Sequence, residues 1–238
     1  MASREFKGQL YLIPSLLGDE ASPNSLSSIT VDIINDVDYF LCENEKNGRR
    51  FLKKAGINKP LDSLILKQLD KDTPLNELLS YAKELASGKK AALISDAGAP
   101  AVADPGAQFV KLCHEYKVKV TPVPGPSSIL LALMTAGLNG QQFTFNGYLP
   151  VKDPERSRAI QELGKKCLQH TQIFMETPYR NLSLFDALLK SLHPETLLCI
   201  AAGLTTPSEY TFTTSVANWK SIKPPIHKVP AIFLIMRT

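Results

Sequence analysis

The stretch Ser95-Asp96-Ala97-Gly98-Ala99-Pro100-Ala101-Val102-Ala103-Asp104-Pro105-Gly106 decides how this chain is read, together with a second loop, Pro122-Val123-Pro124-Gly125-Pro126-Ser127-Ser128. Each follows a short apolar or β-branched run, residues 91–94 and 118–121, and each leads into a helical pattern. Small, rigid residues at two strand exits, about one strand–helix–strand unit apart, let backbone groups approach a ligand where larger side chains would block it. The pattern predicts a small-molecule cofactor held at the carboxyl edge of a parallel sheet.

Working outward, the first half alternates strand and helix signals joined by short loops. A buried run at 9–13 stops at Pro14 and opens into the loop Ser15-Leu16-Leu17-Gly18-Asp19. A helix is expected over 28–35 and a strand over 39–42, which ends at Glu43-Asn44. A basic helix follows over 48–55, then a short strand over 64–66. Thr73 is expected to cap the next helix, with Pro74 as its first helical residue. Beyond the proline run the texture changes: helices are expected over 127–136, 153–169 and 182–192, and strands over 143–145, 173–175, 197–202, 209–213 and 231–236. The fold class is therefore α/β in two domains, an N-terminal mostly parallel sheet with flanking helices over 1–121 and a C-terminal mixed sheet over 122–238. Three prolines within residues 122–126 make a stiff connector and place the expected boundary there.

Composition narrows the class. The 238 residues are 44% hydrophobic and 21% charged, which describes a folded globular protein rather than a disordered one. A formal charge of +4 points only weakly to an anionic partner. The four cysteines, Cys42, Cys113, Cys167 and Cys199, are scattered without metal-ligand spacing, so neither a disulfide framework nor a metal site is expected. Residues 1–8 are polar, and no apolar run reaches membrane-spanning length, so a cytoplasmic protein with no membrane partner is expected. No G-x-G-x-x-G follows a strand signal, which disfavours a nicotinamide dehydrogenase.

Four motifs in order resemble the tetrapyrrole methylase superfamily. They are Ser-Asp-Ala-Gly-x-Pro at 95–100 with Asp104-Pro105-Gly106, Pro-x-Pro-Gly-Pro-Ser at 122–127, Phe145-x-Gly147-Tyr148-Leu149-Pro150, and Phe174-x-Glu176-Thr177-Pro178-x-Arg180. Within that superfamily they are most similar to the subfamily that methylates a ribose 2′-hydroxyl of small-subunit ribosomal RNA. The resemblance implies S-adenosylmethionine as cofactor, two α/β domains with the cofactor in the cleft between them, and a homodimer. It also implies cofactor contacts at Asp96, Gly98, Ala101, Val102, Ser127 and Ser128, and from the C-terminal domain at Met175, Gly203, Leu204, Pro230 and Ala231. Elementary chemistry agrees. Serine hydroxyls at a helix N-terminus suit the cofactor carboxylate, a carboxylate such as Asp96 suits its cationic or hydroxyl groups, and apolar Val102, Met175 and Leu204 suit adenine.

On the acceptor side the sequence departs from the subfamily pattern. Leu16-Leu17-Gly18-Asp19 stands where Pro-x-Gly-Asn is usual, and Glu43-Asn44-Glu45-Lys46-Asn47 stands for Glu-Asp-Thr-Arg-His. Ala202-Gly203-Leu204-Thr205-Thr206 replaces Arg-Glu-Leu-Thr-Lys, and the basic C-terminal extension is not seen before Thr238. A hydroxyl acceptor profits from a base. Glu43 and Glu176 are the candidates, with the alternative that Glu43 is a structural carboxylate tied to the Gly18 loop. Lys46, Arg49, Arg50 and Lys53, with Lys54, either hold RNA phosphate or form a solvated helix face. RNA is the expected partner; a small molecule such as a tetrapyrrole, or a non-catalytic RNA-binding role, is the alternative.

Overall fold

The apolar runs of the first half become five strands, β1 (Gly8–Ile13), β2 (Tyr39–Cys42), β3 (Ile65–Gln68), β4 (Lys90–Ile94) and β5 (Val118–Pro122). They are hydrogen-bonded in the order β3-β2-β4-β1-β5, with every neighbouring pair parallel. The computed structural model describes residues 6–237. Within the first unit, side chains alternate across the sheet and feed two cores. Leu10, Leu41 and Leu93 pack on one face with Leu85 of α3 (Leu75–Ala86) and Phe109 of α4 (Gly106–Glu115). Ile13, Phe40 and Ile94 pack on the other with Ile34 of α1 (Ser28–Asp36) and Leu52 of α2 (Glu45–Lys54). A sheet covered on both faces explains why β2 reads as an unbroken apolar run: all four of its residues are buried.

Two local expectations are corrected. Thr73 does not cap α3. Its hydroxyl donates to Asp70 Oδ1 at 2.9 Å and accepts the Asp70 N–H at 2.8 Å, so it closes the preceding turn, and Pro74 occupies the cap position. The proline run is also not a linker. Pro122 completes β5 opposite Leu12, the Val123 N–H donates to the Leu12 carbonyl at 2.9 Å, and Ser27 Oγ donates to the Pro124 carbonyl at 3.0 Å. The chain divides into two compact units after Ser127, directly beyond this run.

The second unit is a mixed sheet of β6 (Phe143–Tyr148), β7 (Thr171–Glu176), β8 (Leu197–Ala202), β9 (Tyr210–Ser215) and β10 (Ala231–Met236), in the order β6-β7-β10-β8-β9. β6 and β7 are parallel, whereas β10 runs antiparallel to both β7 and β8. One edge of this sheet therefore gathers the carboxyl ends of β6, β7 and β8 and the amino end of β10. The helices are α5 (Ser128–Ala136), α6 (Glu155–Lys166), α7 (Asn181–Ser191) and α8 (Val216–Trp219). Phe174 and Phe233 stack in the core at 5.9 Å between centroids. The four-residue α8 is too short to announce itself by periodicity; the Ser215 side chain caps it by accepting the Asn218 N–H. All four cysteines are buried, and burial pushes the Cys42 and Cys113 thiols up to about 12, as inert core groups. Among the described residues no helix is long and apolar enough to cross a membrane.

Candidate functional site

Neighbouring strands β1 and β4 end side by side, and their exit loops are tied together by backbone. The Ser15 N–H donates to the Gly98 carbonyl at 2.9 Å, and the Gly98 N–H returns to the Ser15 carbonyl at 3.2 Å. Ser95 Oγ adds a bond to the Gly98 carbonyl at 2.7 Å. Gly98 sits at φ +76°, and a Cβ there would lie 3.1 Å from Leu17 Cδ2 and 3.7 Å from the Pro126 carbonyl oxygen. Conformation and space both select glycine. The same distances show that the 122–127 loop abuts the Gly98 loop within the first unit.

Further along this loop, Asp104 Oδ1 accepts the N–H of Ala101 at 3.0 Å and of Gly106 at 2.8 Å. These bonds bracket Ala101 and Ala103, both held in the left-handed region at φ 64° and 59°. Backbone strain of this kind in non-glycine residues persists where the surroundings over-determine it. Val102, between them, is an apolar side chain left 50% exposed. Asp96 is exposed as well, and Ser127, which ends the unit, is half-buried.

A hollow of about 380 Å³ lies between the β1 exit loop, the Ser95-Asp96 turn and α2. The Asn44 side chain caps α2 by accepting the Asn47 N–H at 3.1 Å. That start places Asn47, Arg50 and Lys54 on one helix face, and all three line the hollow. Asn47 Nδ2 donates to Asp96 Oδ2 at 3.0 Å, Arg50 pairs with Asp19 Oδ1 at 3.1 Å, and Lys54 Nζ donates to the Asp19 carbonyl. Arg49 points elsewhere, donating to the Leu61 carbonyl at 3.0 Å, while Lys46 and Lys53 are exposed. Of the five cations marked in the sequence Arg50 and Lys54 face the hollow. Asn47 and Asp19 join them, and the spacing along α2 and the loop carried the signal once the helix start was known.

Glu43 follows β2 directly. Its Oε1 accepts the Asp96 N–H at 3.1 Å, so it is bound to the Asp96 loop and not to the Gly18 loop. Burial pushes its carboxyl up to about 7; the Asp104 and Asp96 carboxylates add to the rise, and the Asp96 amide opposes it. A second groove, of about 590 Å³, is lined by Glu43, Asp96 and Asp104. Glu43 thus carries a carboxyl that exchanges its proton near neutrality. Glu176 is different: it is buried, accepting Arg180 Nη2 and the Thr177 N–H, both at 2.6 Å. Its charge is committed to fixing Arg180.

In the second unit, Ala231 stands in register with both Ala202 and Glu176, and Ile232 with Met175. The Gly203 N–H donates to the Pro230 carbonyl at 3.0 Å. Met175, Gly203, Leu204, Pro230 and Ala231 therefore come together at the one sheet edge described above, with Leu204 buried and Met175 half-buried. Ser128 is the first residue of α5 and is half-buried.

Residues 9–219 match the family described as Tetrapyrrole (Corrin/Porphyrin) Methylases. The chain belongs to the tetrapyrrole methylase family. A relative from Leptospira biflexa, a Ribosomal RNA small subunit methyltransferase I, is 30% identical over 99% of this chain and 93% of its own. The protein of that name from Escherichia coli O157:H7 is 30% identical over 84% of this chain and 66% of its own. The fold is shared with a cobalt precorrin-4 methyltransferase of cobalamin biosynthesis, at TM-score 0.62 and 16% identity, covering 96% of this chain and 94% of the other. It is also shared with a uroporphyrin-III-C-methyltransferase from Thermus thermophilus, at TM-score 0.55 and 17% identity, covering 97% and 93%. As a family member, the chain is a methyltransferase that uses S-adenosylmethionine.

The residues present in the tetrapyrrole methylase loops fit that cofactor. Gly98 lets the turn close against Leu17 with no side chain of its own, and Asp96 and Val102 present one charged and one apolar exposed side chain. Ser15 Oγ, in the wall of the hollow, is buried without a partner among the described residues. A ligand with an amino-acid end and a nucleoside needs this mixture of backbone, carboxylate and apolar surface.

Proposed function

We propose that this methyltransferase acts on a ribose 2′-hydroxyl of small-subunit ribosomal RNA, with Glu43 as the base. The observation that carries the reading is a half-buried carboxyl with a proton affinity near neutrality, hydrogen-bonded to the Asp96 amide and next to a hollow lined by Arg50 and Lys54. When bound, S-adenosylmethionine supplies an electrophilic methyl on a sulfonium. Glu43 takes the hydroxyl proton as oxygen attacks, and its raised proton affinity matches that task at physiological pH better than an ordinary glutamate would. Of the two sequence candidates Glu43 is preferred, because the buried Glu176 is already engaged by Arg180 Nη2 and the Thr177 N–H. Arg50 and Lys54 suit the phosphates on either side of the acceptor ribose. Asp96, Gly98, Ala101, Val102, Ser127 and Ser128, with Met175, Gly203, Leu204, Pro230 and Ala231, are proposed as the cofactor contacts. Positioning by these groups supplies most of the acceleration, since the displacement requires in-line geometry.

The name shared by the relatives supports a ribosomal RNA acceptor. The reading includes a cytoplasmic homodimer. The exposed Leu130 and Met134 of α5 support self-association, and light scattering would give twice the 26.2 kDa chain mass.

The test is transfer of labelled methyl from S-adenosylmethionine to small ribosomal subunits from a strain lacking the gene. A ribose 2′-O-methyl protects its own phosphodiester from alkali, because the attacking hydroxyl is gone. Label is expected in one alkali-resistant dinucleotide. Label released with an alkali-sensitive mononucleotide, or incorporated only into a tetrapyrrole, contradicts the reading.

A further inference from the structure

The second unit carries two large aromatic rings that no core uses. Tyr148 is 57% exposed and Tyr179 is 79% exposed. Both lie at the sheet edge where β6 and β7 end. Gly147, at φ +65° with nothing near its absent Cβ, breaks the register between Phe145 and Tyr148. A bulge there re-aims the following side chain, and it delivers Tyr148 to the surface. Tyr179 belongs to the turn before α7.

Cations frame both rings. Lys228 Nζ stands 5.9 Å from the Tyr179 centroid. Arg180 is anchored by the buried Glu176 carboxylate at 2.6 Å while 42% of its side chain stays exposed, and it lies within electrostatic reach of the Tyr148 hydroxyl. The support beneath is stiff. The fully buried Asn181 donates to the Val229 carbonyl at 2.7 Å and the Ile226 carbonyl at 3.3 Å, and the Lys228 N–H donates to the Pro178 carbonyl at 3.2 Å. The backbone that carries Tyr179, Arg180 and Lys228 is thus fixed before any ligand arrives, which lowers the ordering cost of binding.

We propose that Tyr148 and Tyr179, with Arg180 and Lys228, form a stacking platform for unpaired nucleotides of a single-stranded RNA, bases on the rings and phosphates on the cations. It rests on the RNA reading above. Exposed aromatic faces interleaved with positive charge are the chemistry that single strands select, because every base has a π-face and every linkage a negative charge. A duplex would hide its bases from these rings.

The experiment measures fluorescence anisotropy of a labelled single-stranded octaribonucleotide and of an abasic ribose-phosphate octamer of equal charge. The wild-type protein is expected to bind the octaribonucleotide at least about tenfold more tightly than the abasic strand. Tyr148→Ala and Tyr179→Ala should each weaken the octaribonucleotide by about tenfold and leave the abasic strand unchanged, whereas Tyr179→Phe keeps the wild-type affinity. Lys228→Gln should weaken both strands alike and flatten the salt dependence by about one charge. Equal affinity for the two strands, or indifference to Tyr179→Ala in a variant that melts like the wild type, overturns the platform. Should ribosomal RNA go unlabelled in the transfer assay while Tyr179→Ala still weakens the octaribonucleotide, the acceptor assignment falls and the platform stands. Labelled ribosomal RNA with indifferent tyrosine variants removes the platform alone.

Discussion

Glu43→Gln is expected to slow methyl transfer by about two to four orders of magnitude, the range over which a positioned base acts, while cofactor binding persists. Glutamine keeps an oxygen to accept the Asp96 N–H, which glutamate accepts at 3.1 Å, so the loop should hold its shape. What it loses is the ability to take a proton. The wild-type rate should rise with pH through about 7, where the half-buried Glu43 ionises, instead of levelling off near the ordinary value of 4.5. Stability should move the other way. Below about 4.5 the carboxyl is protonated in both folded and unfolded chains and contributes nothing. Between that value and about 7 the unfolded chain ionises while the folded one resists, so the wild type loses stability as pH rises across this window. Glutamine does not titrate, so the variant should melt above the wild type at pH 8 and close to it at pH 4. Rate profiles from pH 5.5 to 9, with melting curves at pH 4 and pH 8, check this. A variant within twofold of the wild-type rate would remove Glu43 from the chemistry.

Trp219→Ala should destabilise the second unit by about 3–5 kcal/mol. Trp219 is fully buried, its ring meets Phe185 and Phe212 edge-on, each at 5.5 Å, and its Nε1–H donates to the Leu198 carbonyl at 2.8 Å. Alanine leaves a cavity and an orphaned acceptor together. Trp219→Phe separates the two effects, since it loses the hydrogen bond and keeps most of the volume; about 1–3 kcal/mol is expected for it. The first unit draws on different cores, around Leu41 and Phe40. Calorimetry of Trp219→Ala should therefore show a transition split off to lower temperature. One unchanged transition would mean that Trp219 does not support this core.

The legible parts of this protein were local ones. The loops at 95–106 and 122–128 announce themselves because strand, turn and helix signals are contiguous there, and small residues at a strand exit have few other uses. The parallel first sheet followed from the same alternation. What escaped depends on long-range register. Asn47 joins Arg50 and Lys54 on the hollow only because the Asn44 cap sets the phase of α2, whereas a count of basic residues gave Arg49 equal weight. Glu43 was legible as a candidate, but its raised proton affinity comes first from burial and then from the Asp104 and Asp96 carboxylates, all set by residues distant in sequence. Thr73 carried a valid capping signal, yet Asp70 competed for its hydroxyl and won. The proline run reads as a connector by composition, and it instead extends β5 and covers the first core because Val123 is apolar and finds the Leu12 carbonyl.

The claim under all of this is that backbone at the ends of β1 and β4 forms the methyl donor's seat. Calorimetric titration of the wild type and Gly98→Val with S-adenosylhomocysteine measures it. Valine is strained at φ +76° and meets Leu17, so binding should weaken at least about tenfold while far-ultraviolet dichroism stays that of the wild type. Wild-type affinity in Gly98→Val would contradict the account.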